Sequence, residues 1–163
     1  MKKIIFLDID GVITSARTGW YNFDLYAVNF LQWVCEKSGA RIVISSTWRS
    51  NHSLGFFRSI FFDYMFRYGD WRTPFLNSPN VRGDEVRAWL EKHQPVEQYL
   101  ILDDDSDFLP EQKPFLIKTD SHNGLLFEEM LRIREFFKIE TFPKERRELY
   151  QHKNMFGANR EKY

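Results

Sequence analysis

The sequence predicts a three-layer, doubly wound α/β fold built around a parallel sheet. Three observations predict it. Apolar runs at residues 3–8, 41–45, 98–105 and 114–120 are short and do not alternate, the pattern of strands buried on both faces. Segments of helical period lie between them, as crossovers between parallel strands require. The first three runs also end in polar, chemically capable side chains, and ligands in such sheets bind outside the carboxyl ends of the strands.

In chain order, residues 3–8 form the first strand, and "GVITSARTGWYNFD" (11–24) is an irregular loop or small hairpin. Apolar residues at 25, 28, 31 and 34 predict a helix over 25–37, which "SGA" ends. "RIVIS" (41–45) is a short β-branched strand, and "SLGFFRSIFFDYMFR" (53–67) predicts a strongly apolar helix despite Gly55. Residues 69–83 are loop-like with two prolines, and a short strand is expected near Arg72–Leu76. Val86, Trp89, Leu90 and His93 share one face of a helix over 84–93. The strands at 98–105 and 114–120 follow, then an amphipathic helix over 126–137.

The 163 residues (19.7 kDa) suffice for one domain with a full core, expected over 1–140. Residues 141–163 are polar and read as a tail or a linker into a further domain. The 23 basic and 23 acidic side chains cancel, so no global field points to nucleic acid or an anionic membrane. No apolar run approaches the roughly 18 residues of a membrane span, and Lys2-Lys3 leads into a strand without a leader's cleavage site. Cys35 is the one cysteine, which excludes an internal disulfide and suits a reducing cytoplasm.

"IIFLDIDGV" (4–12) poses the chemical question, because a buried strand runs straight into Asp8 and Asp10. Desolvating paired carboxylates is costly. Ser45, Ser46 and Thr47 close the second strand and Asp103, Asp104 and Asp105 the third, so the parallel arrangement gathers acids and hydroxyls on one edge. Hard oxygen donors without histidine or cysteine point to Mg²⁺. Mg²⁺ beside a free carboxylate and hydroxyls suits phosphoryl chemistry. A metal and a phosphate between them make the acids tolerable.

"FLDIDGVI", "IVISS" and "LILDDD" resemble, in order and spacing, motifs I, II and IV of the haloacid dehalogenase (HAD) superfamily. "ARIVISSTWRS", "RGDEVRAWLEKH" and "YLILDDDSDF" are similar to the HAD domain of multidomain "Swiss Army knife" RNA-repair proteins. The resemblance implies a HAD-like Rossmannoid phosphatase, and the short segments between motifs imply a capless or minimally capped one. It implies that Asp8 is the nucleophile, forming an aspartyl-phosphate, and that Asp10 is the general acid–base. It also implies that the Asp8 carboxylate, the Asp10 backbone carbonyl and Asp104 hold Mg²⁺. Asp103, counted with them, or Asp105 would orient water at the metal. Ser46, with Ser45 as its near alternative, would bind a phosphoryl oxygen. The cation for the phosphoryl group would be Arg82, with Arg49 and Arg72 as alternatives. Motif I often carries Thr where this chain has Val12.

The expected substrate is a macromolecular phosphate, either a polynucleotide terminal phosphate or a phosphoprotein including phosphotyrosine, ahead of a small metabolite. The competing reading is a non-catalytic or phosphoacceptor module of receiver type, which would pair adjacent acids on its first strand. Trp20, Trp48 and Trp71 fall in loops where they would line the site mouth or pack in the core. The run at 144–153 reads as a solvated face, and the histidines (52, 93, 122, 152) show no metal spacing. "CEKSGAR" (35–41) matches the C-x₅-R phosphate loop of cysteine phosphatases, but with reversed polarity: Cys35 lies near a helix end and Arg41 opens a strand.

Overall fold

The computed structural model describes residues 2–66, 69–77 and 81–141. Strands β1 (Lys3–Leu7), β2 (Arg41–Ile44), β3 (Gln98–Asp103) and β4 (Leu116–Lys118) form an all-parallel sheet in the order β2-β1-β3-β4. Ile5 stands in register with Ile42 on one side and Leu100 on the other. The non-alternating runs are buried on both faces, as expected of parallel strands. Ile5, Leu7, Ile42, Ile44, Leu100 and Leu102 enter one core, whereas Ile4, Phe6, Val43 and Ile101 enter a second.

Helices α1 (Leu25–Ser38), α2 (Leu54–Ile60) and α4 (Phe127–Phe136) supply side chains to the first core, and α3 (Arg82–Lys92) covers the second through Val86 and Trp89. The result is the expected three-layer α/β fold. Asp24 starts α1 by accepting from the backbone N–H groups of Tyr26 and Ala27. His93 closes α3, as its place in the sequence predicts.

The expected helix over 53–67 is a correction, since α2 ends at Ile60. Phe61 is extended, Asp63–Met65 forms a 3₁₀ turn, and Phe66 bridges to Ile42 of β2. One helix cannot turn Phe57, Phe61, Met65 and Phe66 to the same core, because residues 57 and 66 lie on different sides of it. Unwinding buries all four. The strand expected near 72–76 appears only as a single bridge, where Ile44 donates to Trp71 and accepts from Thr73 (2.8 and 3.0 Å). These bridges cover the edge of β2.

Because these side chains join the main core, the described residues of the segment after β2 form no core of their own that could act as a separate cap. No helix among the described residues is long and apolar enough to cross a membrane. Apart from Thr141, the expected tail at 141–163, with its charge run and His152, lies outside the described residues.

Candidate active site at the carboxyl edge of the sheet

The ladder continues one residue beyond the strands: Asp8 donates to Leu102, Ser45 to Leu7 and Thr119 to Asp103 (2.9, 3.0 and 2.9 Å). Asp8, Ser45 and Asp103 therefore leave the sheet at one level. The chain passes from β1 to β2 on one side and later fills β3 on the other. The acids of β1 and β3 thus flank the switch point, where a doubly wound sheet opens a crevice.

Oxygens of Asp8, Asp103 and Asp104 all lie within 4.8 Å of one another. Arg82 enters this trio from the first turn of α3, with Nη1 at 2.7 Å from Asp103 and 3.1 Å from Asp8. Two contacts aim it. The Arg82 backbone N–H donates to Asp107 (3.3 Å), and the Gln112 amide donates to the Gly83 carbonyl (2.9 Å). A Cβ at Gly83 would stand 2.5 Å from the Gln112 oxygen and 2.6 Å from the Leu109 nitrogen, so only glycine lets the helix start so close. Gly11 is constrained likewise, with φ +69° and the Asp104 carboxyl 2.3 Å from where its Cβ would be. The glycine of "DIDG" makes room for the acid that closes β3.

Burial raises the Asp8 carboxyl, against the opposing Arg82 charge and a hydrogen bond from the Ser46 hydroxyl. Burial, then the Asp8 charge, raises Asp103 to about 7 and lifts Asp104 as well. Burial would weaken the Arg82 charge, but Asp8 and Asp103 more than offset it and hold the guanidinium protonated. Three acids thus face one cation, a deficit that a divalent ion would fill. The all-oxygen donor set fits Mg²⁺. Asp103 is tied on both oxygens, by Arg82 and by the Asp105 N–H (2.9 Å). No side chain donates to Asp104 among the described residues, leaving it freer to ligate.

Asp10 stands apart from the trio. Its Oδ2 accepts from the Trp48 indole (2.7 Å) and its Oδ1 from the Thr14 hydroxyl (2.8 Å). Ser46 is the hydroxyl at Asp8, whereas the Ser45 hydroxyl is buried without a partner among the described residues. Asp105 is exposed and accepts from the Ser106 N–H, so Asp103 rather than Asp105 is the inner acid.

Arg49 and Arg72, the alternatives for the cation, have other partners in the structure, although Arg49 also feels the Asp8 charge. Arg49 is buried, donates to the carbonyls of Ser45, Ser46, Thr73 and Pro74, and pairs with Glu85. It ties the loop after β2 to α3 and is spent on that. Arg72 donates to the Arg49 carbonyl (2.7 Å) and lies over the Trp71 ring. Trp71 packs against Phe57 in the core, and Trp48 packs among Phe23, His52 and Phe56. Trp20, by contrast, is exposed.

Sequence reasoning missed Thr14, Glu85 and Thr119, whose hydroxyl donates to the Gly11 carbonyl (2.7 Å). Thr14 carried a signal, being a hydroxyl four residues after Asp10 across a glycine-containing turn. Glu85 and Thr119 carried none, because their partners are 36 and 108 residues away. The competing C-x₅-R site is excluded. Cys35 is buried inside α1, and burial pushes its thiol up to about 12.

A family model described as the HAD domain in Swiss Army Knife RNA repair proteins matches residues 4–130, a span that holds every acid, hydroxyl and guanidinium described above. No curated protein and no solved structure matches the chain significantly.

Proposed function

The chain belongs to the family of HAD domains in Swiss Army Knife RNA repair proteins, and from that premise we propose that it is a Mg²⁺-dependent phosphomonoesterase removing terminal phosphates from nucleic-acid strands. The observation that carries the reading is the meeting of Asp8 with Arg82 and Ser46 at the switch point, beside Asp103 and Asp104.

In this reading the phosphoryl group lies between the Ser46 hydroxyl and the Arg82 guanidinium. An Asp8 oxygen attacks phosphorus as the ester P–O bond breaks, forming an aspartyl-phosphate. Asp10 gives its proton to the leaving oxygen. It then takes one from the water that attacks phosphorus and frees Asp8. Arg82 serves twice, opposing the effect of burial so as to favour the ionised form of Asp8, and meeting the charge of the phosphoryl oxygens. Mg²⁺, held by Asp8 and Asp104 with Asp103 behind them, would supply further charge neutralisation.

Among the described residues no separate cap stands ready to close over a small molecule, so in this reading selectivity rests with the rim. Trp20, Tyr21 and Phe75 are exposed rings in the segments that leave β1 and β2. Stacking on a base is worth about 1–3 kcal/mol, roughly 5- to 150-fold in kcat/KM when realised in the transition state. With Mg²⁺, the better of a 3′- and a 5′-phosphorylated oligonucleotide should exceed glucose 6-phosphate by at least about tenfold. A phosphotyrosine peptide as the best substrate would redirect the reading to protein phosphatase. A preferred sugar phosphate would overturn the open-site argument. No Mg²⁺-dependent hydrolysis of any ester, p-nitrophenyl phosphate included, would leave a binding module.

Asp10→Asn should slow the reaction by roughly 10²–10⁴, the usual worth of a general acid–base. The loss should be smaller for p-nitrophenyl phosphate, whose leaving group needs little protonation. Equal losses on alkyl and aryl esters would remove Asp10 from the acid role.

A further inference from the structure

The 3₁₀ turn Thr47–Ser50 that follows Ser46 does more than end the second strand. Ser46 caps it by accepting from the Trp48 N–H (3.3 Å), and the turn carries the Trp48 ring across to Asp10, 38 residues earlier. The ring is held from several directions. It stacks on His52 (centroids 4.9 Å, planes 20° apart) and packs on Phe23 and Phe56 (5.8 and 6.0 Å). The His52 Nδ1 lies 3.2 Å from the Trp48 carbonyl, closing the turn. Such a ring has little freedom to move, so its N–H defines a point in space.

We propose that Trp48 is a positioning residue for Asp10, its indole N–H clamping Oδ2 so that the acid presents its other oxygen to the leaving group. The inference rests on the phosphatase reading above. An indole N–H only donates, so Oδ2 remains an acceptor whatever the state of Asp10. The transferable proton is therefore favoured on Oδ1, whose partner can also accept. Its partner there is the Thr14 hydroxyl, which can donate or accept. Thr14 also has a second acceptor, the Ile9 carbonyl at 3.2 Å. When Oδ1 carries the proton, the hydroxyl turns to Ile9 and gives up its bond to Asp10. When Oδ1 has passed the proton to the leaving oxygen, the hydroxyl returns. Trp48 is fixed and Thr14 adapts, which holds the carboxylate in one plane through both half-reactions. The turn that presents Ser46 to Asp8 thereby also sets Asp10, linking phosphate binding to proton transfer.

Trp48→Phe keeps the ring in its aromatic cluster and removes the N–H. It should lower kcat for a phosphorylated oligonucleotide by roughly 10- to 100-fold with KM little changed, as loss of alignment does. p-Nitrophenyl phosphate should lose only a few-fold, since its leaving group does not depend on Asp10's proton. Phe61→Leu disturbs core packing at a ring that faces Phe66 rather than Trp48, and should keep the wild-type ratio between the two esters. Among the five indole N–H resonances, the one lost in Trp48→Phe should move upfield in Asp10→Ala. Equal losses in kcat/KM, which reports transfer to Asp8, on both esters in Trp48→Phe would make the ring merely structural. An unmoved resonance in Asp10→Ala would remove the clamp itself. If no ester is hydrolysed by the wild type, the phosphatase reading fails, and the resonance alone decides whether Trp48 holds Asp10.

Discussion

Asp8→Asn should reduce turnover to background while leaving the protein folded and, without metal, more resistant to heat. The amide is a poor nucleophile and a weak ligand for a hard cation, so chemistry and metal binding fail together. Stability should move the other way. Burial raises Asp8, and burial together with the Asp8 charge raises Asp103 and Asp104, above the ordinary carboxylate value of 3.8, with Asp103 reaching about 7. Groups raised in the folded state contribute stability fully present below their unfolded pKa. That contribution is lost as pH rises through the folded values. The metal-free wild type should therefore lose stability between about pH 4 and 7, and Mg²⁺ should restore more of it at the upper end than at the lower. In Asp8→Asn one source of repulsion is gone, so both the pH-dependent loss and the Mg²⁺ effect should shrink. Melting curves with Mg²⁺ or a chelator at mildly acidic and mildly basic pH would show this. A tenth of wild-type activity surviving in the mutant would rule out Asp8 as nucleophile.

Arg82→Gln should be damaging to both activity and stability, which separates it from Asp8→Asn. Removing a charge aimed at the reacting group costs about 10²–10³ in rate. Removing one partner of a buried ion pair costs about 3–5 kcal/mol, because the carboxylates left behind are uncompensated. Asp8 and Asp103 both lose their counter-charge here. The stability deficit should shrink at acid pH, where those carboxyls protonate, and on adding Mg²⁺, which replaces the missing charge. Denaturant titrations across pH, with steady-state rates on one ester, would test the pair of effects. Undiminished turnover in Arg82→Gln would mean that another cation meets the phosphoryl group. Arg49→Gln should also destabilise the protein. Its deficit should respond little to Mg²⁺, since Arg49 answers to Glu85 and four backbone carbonyls.

The sequence by itself determined the class of fold, the placement of the strands and the acids that end them. These follow from short-range physics. An apolar run of five residues without alternation is buried on both sides, and a carboxylate beyond it must lie at a strand end. Parallel order then brings Asp8 and Asp103 to one edge without knowledge of any side-chain contact. What only the tertiary structure decided was which long side chain meets which acid. Arg82 led on paper by its place before a helix, but Arg49 and Arg72 stayed open beside it, because a guanidinium reaches several ångströms and its partner depends on the path of the intervening chain. Packing bound Arg49 to carbonyls and to Glu85, laid Arg72 over Trp71, and left Arg82 to face Asp8 and Asp103. The same holds for Trp48. Its place after Ser46 left rim and core both open, and stacking on His52 and Phe56 turned its N–H inward to Asp10. The break after Ile60 was also tertiary, since helical propensity yielded to the burial of Phe61, Met65 and Phe66 in a core formed by distant strands.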